Sequence, residues 1–71
     1  MESPKQCIEI GASLVEAYGL EIATKQIEDN IYLLKVSLGV VVEHEPFLSR
    51  VQSNLAQQID FWSQVLQTIK P

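Results

Sequence analysis

Seventy-one residues with a net charge of −4 and a single cysteine, Cys7, allow one domain at most and exclude a disulfide framework. Five scattered cations against nine anions exclude the clustered Lys and Arg that phosphate recognition needs, so nucleic-acid binding is not expected. Apolar residues make up 46% and mean hydropathy is +0.09, high for a body that buries only a modest core, so part of that content is expected to meet a partner.

Ser3-Pro4-Lys5-Gln6 has the form of a helix start, with Ser3 as cap, Pro4 at the first helical position and Gln6 completing a capping-box spacing. The acidic Glu2 and the lack of a basic, then apolar, leader argue against a signal peptide, and the expected location is cytoplasmic. A first helix follows to about Tyr18. Cys7, Gly11, Leu14 and Tyr18 form one row, Ile8, Ala12 and Val15 lie beside it, and Glu9 and Glu16 lie opposite. Gly19 fits a left-handed helix-closing position, with Leu20 as the apolar contact behind it.

Two matched ladders occupy the rest of the chain. Leu20, Ala23, Ile27, Ile31, Leu34, Leu38 and Val41 step by 3, 4, 4, 3, 4, 3. Leu48, Val51, Leu55, Ile59, Trp62, Leu66 and Ile69 repeat those steps 28 positions later. Such spacing puts each set on one helical face. The second helix begins somewhere in 20–25, where Thr24 is the best cap, and ends near 43, because Pro46 disfavours helix at Glu45. Pro46 then opens a third helix to about Ile69, with Lys70 at its negative end.

The expected fold is all-α and a single domain over 1–71: helices at about 4–18, 20–43 and 46–69, the last two an antiparallel hairpin joined by a tight turn. Folded back, the ladders pair Val41 with Leu48, Leu38 with Val51, Leu34 with Leu55, and so outward to Leu20 with Ile69. The segment 31–42 has a competing reading, α+β, as two short strands joined near Gly39, because it is rich in β-branched residues. Its apolar run is also shorter than the roughly 20 residues of a membrane span.

The functional signal lies on the second helix. With Ile31, Leu34, Leu38 and Val41 facing the hairpin, Tyr32, Val36 and Val40 line the opposite side, with Leu33 close by. A helix apolar on two faces needs two things to bury against; the second is either the first helix or another chain. The third helix carries an amide-rich polar surface whose only charge between Val51 and Ile69 is Asp60, and amides lose less than ions on leaving water. Phe61, Gln64 and Val65 there complete the expected partner-binding set with Tyr32, Val36 and Val40.

Chemistry-bearing groups are sparse. Glu43-His44-Glu45 crowds three candidate ligands into one turn without a fourth at metal spacing. Cys7 with His44 would be a nucleophile and base only if the fold joined them. Tyr18-Gly19-Leu20 resembles the turn of a helix-turn-helix, but the following segment carries Glu21, Glu28 and Asp29 against Lys25, which repels phosphate. No cofactor, metal, small-molecule ligand or enzymatic activity is expected. The hairpin plan is similar to that of small assembly proteins, a likeness of architecture that does not fix function. The expected function is a non-enzymatic adaptor, chaperone or assembly subunit, as a homodimer or hetero-complex. The alternative is a small acidic regulator, immunity- or antitoxin-like, using the six anions of residues 1–30 to occlude a basic site.

Overall fold

The computed structural model describes residues 4–70 as three helices: α1 (Pro4–Tyr18), α2 (Leu20–His44) and α3 (Ser49–Ile69). Ser3, the expected cap, lies outside the described residues. No strand occurs among them, and 31–42 is helical throughout within α2. The ladder explains this outcome: it gives a helix a continuous buried stripe, whereas an isolated two-stranded ribbon is marginal in water.

Gly19 alone joins α1 to α2. Its N–H donates to the Val15 carbonyl at 2.8 Å and its own carbonyl accepts from the Ala23 N–H at 2.9 Å, so one residue closes one helix and opens the next. Its backbone sits at φ 88, ψ 156, which is not the expected left-handed helical conformation but an extended one open essentially to glycine alone. A one-residue joint demands it, because the carbonyl must swing into the axis of the new helix. Thr24 does not cap; α2 starts at Leu20 without a side-chain cap.

At the other end Pro46 plays a different part from the one its sequence position suggests. Glu45-Pro46-Phe47-Leu48 forms a turn closed by the Leu48 N–H on the Glu45 carbonyl at 3.0 Å. Proline takes the second position of that turn, which its fixed φ suits as well as it suits a helix start. The Gln52 side-chain amide then donates to the Pro46 carbonyl at 3.2 Å, and α3 begins at Ser49, three residues later than expected. With α2 ending at His44, the midpoint of the connection moves from between 44 and 45 to between 46 and 47. A hairpin centred there favours an antiparallel register four residues, one helical turn, from the expected one, in which the apolar faces still meet. Counted from that midpoint, Leu38 would stand level with Leu55, Leu34 with Ile59, Ile31 with Trp62 and Ile27 with Leu66. Two observations agree with the slide: Leu20, left beyond the end of α3, is 49% exposed, and Lys70 reaches Glu28 at 3.0 Å.

The core sits at one end of the hairpin. Cys7 of α1, Ile27 and Ile31 of α2 and Val65 of α3 are buried together, with Ile10, Leu14, Ile59, Phe61, Trp62, Leu66 and Ile69 packed around them. α1 lies in the groove between α2 and α3, and Gly11 lets it approach closely: a Cβ there would stand 2.6 Å from Thr68 Oγ1 and 2.8 Å from Ile69 Cγ2. α1 has 15 residues against 25 in α2, about 22 Å against about 37 Å at ~1.5 Å per residue. Beyond its reach the hairpin has two layers only, and there Leu34, Leu38, Val41, Leu48 and Leu55 are half-buried while Val51 is exposed.

Candidate interaction surface

The outer face of α2 is apolar and open. Tyr32 is 66% exposed, Leu33 61%, Val36 47% and Val40 52%. α1 does not cover them; its apolar row is committed to Val65 and Ile27 on the other side of the molecule. At 100° per residue Val36 marks the centre of this face, with Tyr32 and Gly39 on one side of it and Leu33 and Val40 on the other. Together the four side chains expose about 400 Å2, at the scale where a patch on a lone small protein becomes informative. The one charge between 31 and 42 is Lys35, at the margin of the face.

Of the α3 residues expected to contact a partner, one is closed off and two are half-buried. Val65 is fully buried, 0% exposed, and is corrected from a partner contact to a core residue. It turns inward because α1, docked through Gly11 and Cys7, closes over it. Phe61 is half-buried, packs against the same core and meets Trp62 edge-on, ring centres 5.4 Å apart at 80°. Gln64 is half-buried as well. Its amide donates to Asp60 Oδ2 at 2.9 Å, and its Oε1 accepts a long contact from Cys7 Sγ at 3.8 Å. Part of the amide-rich surface is thus satisfied within α3, as Gln58 on Asn54 at 3.4 Å also shows.

Two further apolar features escaped the sequence reading. Phe47 stands exposed at the tip of the α2–α3 turn; its position just after Pro46 was the available sign. Ile8, Ala12, Val15 and Leu20 line a shallow groove with Thr68 and Ile69 beside α1. They share the apolar row that the sequence assigns to the flank of the first helix.

The chemical candidates are kept apart. Cys7 is buried against Ile27, while His44 is exposed 17 positions further along α2, about 25 Å away at ~1.5 Å per residue. Glu43, His44 and Glu45 are all exposed, and no group of three His, Cys, Asp or Glu among the described residues is placed to hold a metal ion. Among the described residues no helix is long and apolar enough to cross a membrane.

The total accessible surface is 5232 Å2, against about 4,450 Å2 for a typical folded monomer of 8.0 kDa. Comparison with protein-family models, characterised proteins and solved structures finds no match, so the geometry of this surface alone carries the functional argument.

Proposed function

We propose that this chain is a small non-enzymatic interaction module, an adaptor, chaperone or assembly subunit, that binds protein through the outer face of α2. The observation that carries the reading is the exposed set Tyr32, Leu33, Val36 and Val40, uncovered by α1 and continuous along about two and a half turns. Burying about 400 Å2 here and as much on a partner makes about 800 Å2 in all, the size of a weak or transient contact, whose affinity is set by how well Tyr32, Leu33, Val36 and Val40 are packed and not by area alone.

The acidic-regulator reading keeps less support. Glu9, Glu16 and Glu21 are exposed, but Glu28 is engaged by Lys70. Replacing Glu9, Glu16 and Glu21 by Gln separates the two ideas, since it removes an acidic surface and leaves the α2 face untouched.

The test places a photo-crosslinking amino acid at Leu33 or at Glu9 in the native cell. The reading expects a discrete protein adduct from position 33, from a second copy or another protein, and none from position 9. Helical circular dichroism with no adduct at 33 would refute it.

A further inference from the structure

We infer, building on the reading above, that the occupant of the α2 face is a second copy of this chain, docked antiparallel about a twofold axis at Val36. The first support is an unexplained glycine. Gly11 is required by close approach of α3 and Gly19 by a positive φ, but a Cβ at Gly39 would meet nothing within 4 Å. Glycine in the middle of a helix weakens it relative to alanine, so within one subunit Gly39 is a cost with no return. It lies on the exposed apolar face, beside Tyr32 and Val36.

The second support is self-complementarity. A twofold axis between antiparallel helices returns each side of the face to the same side of its mate. Tyr32 then falls over the partner's Gly39, Leu33 meets the partner's Val40, and Val36 meets its own copy on the axis. Bulk sets into space where Tyr32 lies over Gly39, a contact that the twofold makes twice, and apolar side chains meet at the other two positions. A parallel pair would instead set Tyr32 against Leu33 at one end, bulk on bulk, and leave Gly39 against Val40 at the other. Asp29 and Glu43 end the patch seven residues either side of Val36 with like charge. The steep crossing common between globular helices, about −50°, carries those ends apart while keeping Tyr32 to Val40 in contact. Area sets the strength: about 400 Å2 from each chain makes about 800 Å2 in all, the size of a weak, concentration-dependent contact and not of an obligate dimer.

The test is sedimentation of the purified full chain across a dilution series from about 1 μM to 1 mM, a range that brackets ordinary dimer affinities. The expected result is a reversible species of twice 8.0 kDa. Gly39→Ala should have opposite effects on the two states. It should raise the thermal midpoint of the dilute monomer, where the new methyl meets open space, yet weaken the dimer about tenfold or more by standing under Tyr32. Cysteine pairs fix the orientation, because Cys7 is buried and stays out of exchange. Val36→Cys should link to itself, and Tyr32→Cys should link to Gly39→Cys in a mixture faster than to itself. A strict monomer at the highest concentration, an unchanged affinity for Gly39→Ala, or self-linking of Tyr32→Cys as the fastest reaction would each overturn the inference. A monomer in vitro combined with a hetero-protein adduct at Leu33 in the cell would sink the second copy while leaving the interaction module standing.

Discussion

Gly11→Ala is the substitution on which the docking of α1 can be tested most directly. Two effects oppose each other. Alanine strengthens an isolated helix by about 1 kcal/mol over glycine. Against that, the new Cβ would lie 2.6 Å from Thr68 Oγ1 and 2.8 Å from Ile69 Cγ2, where ordinary contact begins near 3.4 Å. Thr68 can turn away only by giving up the hydrogen bond its hydroxyl donates to the Val65 carbonyl at 2.7 Å. Ile69 has less freedom, since a β-branched residue in a helix holds essentially one χ1 rotamer. The relief left is for α1 to lift, which loosens Cys7 from Val65. Overpacking of this kind costs about 1–3 kcal/mol, so the net change is a loss of up to about 2 kcal/mol, a fall of as much as roughly 15 °C in thermal midpoint for a domain this size.

Thermal denaturation followed by circular dichroism at 222 nm, at a concentration where the chain is monomeric, reads the shift. A double-mutant cycle with Ile69→Leu, which lacks the offending branch, should recover at least about 0.5 kcal/mol of the loss. A rise in midpoint for Gly11→Ala alone would mean that helix propensity wins, and that α1 does not sit as close to α3 as described.

The other glycine joint and the core give two further outcomes. Gly19→Ala should cost about 1–3 kcal/mol, because φ 88 with ψ 156 is strained for any side chain although the space around it is open; a midpoint within 2–3 °C of the parent, about 0.5 kcal/mol, would refute the one-residue joint. Val65→Ala should lower stability by about 2 kcal/mol through the cavity it leaves, whereas Val36→Ala in the dilute monomer should stay within about 0.5 kcal/mol. Chemical denaturation of the two side by side checks the contrast, and equal losses would contradict the assignment of one to the core and the other to the surface.

Periodicity made the helical plan legible, and the reasons for its failures are local. The ladders identify the faces of α2 and α3 because a 3.6-residue period survives any sliding of one helix past the other. For the same reason they say nothing about register, and a connection centred between 46 and 47 favours a pairing one turn away from that of Val41 with Leu48. The displacement was set by Pro46, whose fixed φ serves a helix start and a turn equally well; only the Leu48–Glu45 hydrogen bond distinguishes them. Val65 was misread because it lies off the α3 ladder, and a one-dimensional pattern assigns off-ladder apolar residues to solvent or to a partner. What reclaims it is α1, and the sign that α1 would dock there was Gly11, a small residue on the row that also holds Cys7. On α2 the second apolar face was readable because no other helix competes for it; Tyr32, Val36 and Val40 stand exposed on the side of α2 turned away from the core that α1 closes.

That difference in helix length organises the molecule. Every residue buried among those described, from Cys7 and Gly11 to Ala23, Ile27, Ile31 and Val65, lies where three helices overlap. Past α1 the hairpin continues as a bare pair, with its seam half-covered and the outer face of α2 open. A two-helix pair of this length draws little stability from propensity and depends on burial of its faces. A further layer is therefore most useful where α1 stops, and the α2 patch, from Tyr32 to Val40, begins at the edge of the three-helix overlap and runs on into that stretch. Anything that binds there binds the folded hairpin and not the unfolded chain, so by mass action it also raises the chain's stability. Order in the distal half of the hairpin and occupancy of the α2 face are in this sense one equilibrium. Amide exchange of residues 33–42 should slow with protein concentration if the occupant is a second copy, while exchange at Ile27 and Val65 changes least.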